Sequence, residues 1–113
     1  MGRKNVLTSA PPYAVEKALT RLGARLRTAR LRRNLTIGGV AEKIGTGPRA
    51  VMDAEKGKPG ASAAVYLALL WAYGLLEQMS EVADPAQDEE GLAHTGSRQR
   101  ARAPVKGGLS NDF

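Results

Sequence analysis

The sequence contains no cysteine, a single histidine and few aromatic residues, 4% of the chain, with one Phe and one Trp. Without cysteine there are no disulfides and no thiolate metal sites, and a reducing compartment is compatible. The lone His94 lies in a polar stretch near the C-terminus. A Ser-His or Cys-His pair in a rigid site is therefore hard to assemble. No apolar run approaches the ~18 residues of a membrane span. The N-terminal MGRKNVLTSAPP has basic residues but no apolar core behind them, which argues against a signal peptide. Glycine is abundant, yet no phosphate-cradling loop forms. Gly38-Gly39 and Gly45-Thr46-Gly47 lack the required spacing and lysine. No carboxylate cluster points to a metal, and Asp88-Glu89-Glu90 reads as a solvated linker. The expectation is a protein with no enzymatic activity, no metal and no cofactor, working in the cytoplasm.

What is present is positive charge, unevenly spread. The 113 residues carry a net charge of +6, with +8 in residues 1–33, +1 in 34–74, −6 in 75–97 and +3 in 98–113. A cationic surface attracts polyanions and makes their binding salt-dependent. The apolar fraction of 42% permits one small core, which dimerisation would supplement.

Residues 1–12 read as a flexible arm: either a disordered terminus, or an arm whose Arg3 and Lys4 touch DNA. From Tyr13 the pattern is helical. Val15, Leu19, Leu22, Leu26 and Ala29 share one face, most of Arg21, Arg25, Arg27, Arg30, Arg32 and Arg33 fall off it, and Asn34 suits the left-handed closure. A solvated helix surface accounts for several of these arginines.

Residues 35–57, LTIGGVAEKIGTGPRAVMDAEKG, read as helix, tight turn, helix. Thr36 is a hydroxyl N-cap before Ile37, Val40, Ala41 and Ile44. Gly45 supplies the reversal, Pro48 suits the first turn of the next helix, and Gly57 ends it. Two short helices joined in this way form the helix-turn-helix, whose second helix can enter the DNA major groove. Candidate DNA contacts are Thr36, Thr46, Arg49, Met52, Asp53 and Lys56. Arg49 can pair with guanine O6 and N7, and Asp53 either accepts from cytosine N4 or is repelled by phosphate. Thr36 suits a phosphate, while Lys43, Lys56 and Lys58 add non-specific attraction. An ordinary solvated surface is the alternative for each.

Ser62 is a candidate N-cap for an apolar helix over residues 63–73, expected at the centre of the bundle, with Trp71 and Tyr73 as core or dimer contacts. A fifth short helix is expected over residues 75–83. Residues 86–113 are polar and charged and are expected to be disordered, including Arg98-Gln99-Arg100-Ala101-Arg102.

Residues 19–76 resemble the lambda-repressor-like (Cro, XRE) helix-turn-helix family. The resemblance is carried by Leu26-Arg27, Arg30, Leu35-Thr36, Val40-Ala41-Glu42-Lys43-Ile44-Gly45, Val51, Glu55-Lys56-Gly57-Lys58-Pro59, Leu67, and Leu70 to Leu75. It implies an all-α, five-helix DNA-binding bundle over residues 13–85, flanked by the disordered tails. It also implies a homodimer on a palindromic operator and a structural ion pair between Arg30 and Glu55. Val65-Tyr66, Tyr73 to Met79 and Ala83 to Asp88, with the terminal Asp112-Phe113, further resemble the HipB-like repressor-antitoxins encoded beside HipA-type kinase toxins. That likeness implies a kinase-toxin partner and autorepression of a toxin-antitoxin operon. The chain departs from the family pattern at Ile37, where a phosphate-binding Gln is usual, and at Gly47-Pro48, where polar residues usually open the recognition helix. Both changes reduce the polar contacts available to DNA. Gly38-Gly39 weakens the first helix of the unit by about 1–2 kcal/mol if both lie in its interior.

Overall fold

The computed structural model describes residues 5–101. Arg3, Lys4 and residues 102–113, with the closing Asp112-Phe113, lie outside that range. Among the described residues the chain forms α1 (Val6–Ser9), α2 (Tyr13–Arg32), α3 (Ile37–Ile44), α4 (Pro48–Glu55), α5 (Ala63–Ala72), two 3₁₀ helices (Leu76–Glu81 and Pro85–Gln87) and α6 (Glu89–Ala101). Of the five helices expected over residues 13–85, four are α-helices and Leu76–Glu81 is 3₁₀, while α1 and α6 lie outside that span. No strand occurs among the described residues, and no helix there is long and apolar enough to cross a membrane. The chain divides into two units, with the boundary between Glu77 and Gln78.

In the first unit α2 packs on α4, α3 packs on α4 and α5, and α4 packs on α5. The centre is made by Leu26, Val40, Val51 and Leu69, all fully buried, with Ala29, Ala41, Ala54, Tyr66, Leu70 and Tyr73 around them. Each large apolar side chain buried in this way contributes about 1.5–3 kcal/mol. The helix starts follow the sequence closely. Thr36 Oγ1 accepts from the Gly39 amide at 3.0 Å, and Ser62 Oγ accepts from the Val65 amide at 3.2 Å. The helix ends share one chemistry. After α2, Asn34 sits at φ 55° and the Leu35 amide reaches back to the Arg30 carbonyl at 3.2 Å. After α4, Gly57 sits at φ 70° and the Lys58 amide reaches the Asp53 carbonyl at 3.1 Å. After α5, Gly74 sits at φ 74° and the Leu75 amide reaches the Leu70 carbonyl at 2.8 Å. Each is a Schellman closure, which satisfies carbonyls that the helix leaves open.

The α2–α4 contact has a feature that periodicity does not reveal. A Cβ on Gly23 would lie 2.5 Å from the Ala54 carbonyl oxygen and 2.6 Å from that of Glu55. A Cβ on Gly57 would lie 2.5 Å from the Leu19 carbonyl oxygen. The two helices thus meet backbone to backbone, and only glycine fits between them.

Three apolar expectations change. Val15 lies on the first turns of α2, which overrun the core, and is 41% exposed. α5 is apolar on every side but buries only Tyr66, Leu69 and Leu70. Trp71, expected as a core or dimer contact, is 55% exposed and so not part of the core, with Lys43 Nζ 5.7 Å from its ring centre. Tyr73 is buried as expected.

In the second unit the residues expected as a short helix form the end of a 3₁₀ turn, followed by Ala83 in the left-handed region at φ 56°. Residues 86–101, expected to be disordered, instead carry structure. Asp84 Oδ1 accepts from the Ala86 amide at 3.0 Å and Asp88 Oδ1 from the Gly91 amide at 3.0 Å, which starts α6. No residue from 78 to 96 is buried. These helices rest on local caps rather than on a core, which is why composition alone conceals them.

Gly23→Ala is expected to lower stability by about 1–3 kcal/mol through overpacking. Thermal unfolding should show a fall in Tm, and an unchanged Tm would refute the close approach. The Tyr73 hydroxyl is buried without a hydrogen-bond partner among the described residues, so Tyr73→Phe should match or exceed the native stability, by up to about 1–3 kcal/mol. Urea titration reads the sign.

Candidate nucleic-acid interface

Two short helices and the turn between them create the candidate surface. Gly45 adopts φ 83°, and the Thr46 amide donates to the Ala41 carbonyl at 2.9 Å, closing α3 as the chain reverses. Gly47 then precedes α4 without a side-chain cap, and Pro48 occupies its first turn. Inward, α3 buries Val40 and Ala41 while α4 buries Val51 and Ala54. Ile37, which stands where a polar residue was wanted for phosphate, is half-buried.

Outward, Arg49, Asp53 and Lys56 follow a four-then-three spacing, which places them on one face of α4. The Arg49 side chain is 79% exposed, with its Nε 3.9 Å from Asp53 Oδ1. Asp53 is only partly exposed, and its Oδ1 also lies 3.5 Å from Lys58 Nζ. Asp53 is therefore a local counter-ion between two cations, an arrangement that composition alone did not separate from base contact or repulsion. An exposed pair of this kind contributes only a few tenths of a kcal/mol, roughly 0.3–0.5, so Arg49 can leave Asp53 for a better partner. Met52 on the same helix is half-buried, and Lys56 is exposed at its C-terminal end. Thr46 is half-buried in the turn. Thr36 stands apart at the start of α3, its oxygen already accepting from Gly39 and its hydroxyl hydrogen free to donate.

Behind this face is a buried ion pair. Arg30 Nε donates to Glu55 Oε2 at 2.6 Å and Nη2 donates to Oε1 at 3.0 Å. The two side chains are 8% and 6% exposed. Nη1 donates to the Leu35 carbonyl at 3.0 Å, so one guanidinium joins α2, the connection to α3 and the last residue of α4. Its bond to Glu55 holds the Arg30 pKa above the ordinary arginine value, against the opposing effect of burial.

A second arginine anchor went unnoticed in the sequence. Arg33 Nη1 donates to the Ala29 carbonyl at 2.9 Å, Nη2 donates to the Tyr73 carbonyl at 3.0 Å, and the guanidinium lies 5.6 Å from the Tyr73 ring centre. The partners are forty residues apart, and no local spacing rule connects them. Among the described residues no group of three or more acidic or histidine side chains is arranged to hold a metal.

A family model described as a helix-turn-helix domain matches residues 21–82, more than half of the chain. The chain belongs to this helix-turn-helix family. The matched span contains α3, the Gly45 turn, α4, α5 and all of the apolar centre. It supports the lambda-repressor-like resemblance at the level of the family, and a helix-turn-helix domain is a DNA-binding unit. No curated protein and no solved structure gives a significant match to the chain.

Removing one member of the buried pair leaves the other charged and unpartnered. Arg30→Met should cost about 3–5 kcal/mol, whereas Arg30→Met combined with Glu55→Leu should recover most of that loss. A double-mutant cycle by urea unfolding measures the coupling, and additive losses would show that the pair is not a unit.

Proposed function

We propose that this chain is a sequence-specific DNA-binding transcriptional regulator that binds a palindromic operator as a homodimer and represses its own gene. The observation that carries this reading is Arg49. It stands exposed at the front of α4, weakly paired, on a helix whose far end is fixed by the Arg30–Glu55 pair. A mobile charged fork on a fixed helix can pair bidentately with guanine in the major groove. Lys56 and Lys58, and the hydroxyl of Thr36, supply phosphate contacts that set register without reading sequence. Thr46, Met52 and Asp53 flank Arg49, and Asp53 holds it ready when no DNA is bound. As proposed, the regulator acts in the cytoplasm on nucleoid DNA, catalyses no reaction and uses no cofactor.

The finer reading is that this repressor is also the antitoxin of a toxin-antitoxin operon and neutralises a HipA-type kinase. Two things support it. One is the likeness over residues 65–88 described above. The other is the exposure of Trp71 and Leu67 on α5, an apolar surface that a protein partner or a second copy would cover. Co-purification with the product of the adjacent gene tests this part, and a protein that emerges alone leaves a stand-alone regulator.

Footprinting on DNA upstream of the gene tests the core proposal, and no protected palindrome at moderate salt would refute it. Within a protected site, Arg49→Ala should relax discrimination at one base pair per half-site by about 1–3 kcal/mol. Lys56→Ala should weaken cognate and random DNA alike and lower the salt slope by about 1.

A further inference from the structure

The outer side of α2 carries charge that the recognition unit does not use. Lys17, Arg21, Arg25 and Arg32 are all exposed, with Thr28 exposed among them. At about 100° per residue these five positions fall within about 80° of the helix circumference. They face away from Leu26, Gly23 and Arg30, the side by which α2 meets the core and α4. The four cations span about 22 Å at 1.5 Å per residue. Among the described residues none of them forms an ion pair. The one acidic residue of α2 is Glu16, about 100° round the helix from Lys17 and off the stripe. Arg27 also lies off it.

Such a stripe is not the ordinary surface of a soluble helix. Solvated helix faces intersperse both signs, and like charges at i, i+4 destabilise the helix. Lys17 with Arg21, and Arg21 with Arg25, are two such pairs. The residues therefore stand where mutual repulsion is unrelieved until an extended polyanion lies along them. A DNA duplex presents one negative charge per about 1.7 Å, or about 13 over this length. Straight, regularly spaced charge of that density complements four cations in line along a rigid rod.

We propose that the outer face of α2 is a second DNA-backbone surface, which holds a stretch of duplex other than the one seated on α4. The choice of DNA among polyanions rests on the family's DNA-binding character. The separation from α4 rests on the helix geometry. Each protomer then presents two DNA surfaces, one that reads sequence and one that reads only phosphate, and joins two segments of DNA.

The full-length protein tests this with random-sequence duplex over a salt series. Arg21→Gln, Arg25→Gln and Arg32→Gln together should lower the slope of log affinity against log salt by about 2.7. Arg27→Gln, a charge removed from the same helix but off the stripe, should leave the slope unchanged. All three stripe residues are exposed, so circular dichroism should stay native, and Tm should hold or rise slightly as the like-charge pairs are relieved. In a capture assay, protein on an immobilised duplex should retain a second, labelled duplex. The triple variant should lose that capture while still binding the immobilised DNA through α4. An unchanged slope, an equal per-charge effect of Arg27→Gln, or undiminished capture by the triple variant would each overturn the proposal. Stronger binding of an acidic peptide or an anionic vesicle than of duplex to the stripe would overturn it as well. Loss of preference for upstream over random DNA, with capture intact, strikes the regulator reading alone.

Discussion

The guanidinium of Arg30 is the constraint on which the first unit depends. Its hydrogen-bond donors engage both carboxylate oxygens of Glu55 and the carbonyl of Leu35. A buried charge is tolerated only when its donors find partners in good geometry. Here those partners come from two separate elements, so the pair forms only when α2, the connection to α3 and the end of α4 are all in place. A hydrophobic replacement of similar size could match the pair's stability. It could not require the same three segments to arrive together.

Much of this fold was legible because its boundaries are written in single residues. Thr36 and Ser62 each accept from an amide three positions on, while Asn34, Gly57 and Gly74 each take the left-handed conformation that ends a helix. These signals act over a few residues, and sequence displays them directly. What remained hidden depends on distance in the fold. The match of Gly23 to the α4 backbone, the stacking of Arg33 on Tyr73 and the exposure of Trp71 all require knowing which helix faces which. α6 was missed for the opposite reason. None of its residues from 89 to 96 is buried, so the apolar pattern by which helices are recognised is missing there, and its Asp88 cap is a weak signal among many acids.

The same division runs through the candidate site. Residue type and position pointed to Thr46, Arg49, Met52, Asp53 and Lys56 at the exposed front of the second helix, where Arg49 and Lys56 are exposed and Thr46, Met52 and Asp53 are half-buried. Spacing alone could not tell that Asp53 serves two cations at once. The eroded positions also acquire a reason. Ile37 packs partly inward, and Pro48 begins α4 where a polar side chain would otherwise stand. The candidate surface is consequently narrow, with Arg49 as the one long exposed cation at the front of α4, while six of the chain's seventeen Lys and Arg sit on α2.

The backbone contact at Gly23 and Gly57 has a consequence for how such a surface can be altered. Where two helices dock through side chains, any exchange at the seam shifts one against the other. Here the closest approach, at Gly23 and Gly57, is main chain against main chain, and the side chains that join α4 to α2 are its inward ones, so the side chains α4 turns outward take no part in its seat. The outer positions of α4 can then be exchanged as freely as letters on a fixed plate, with no change in the platform that carries them.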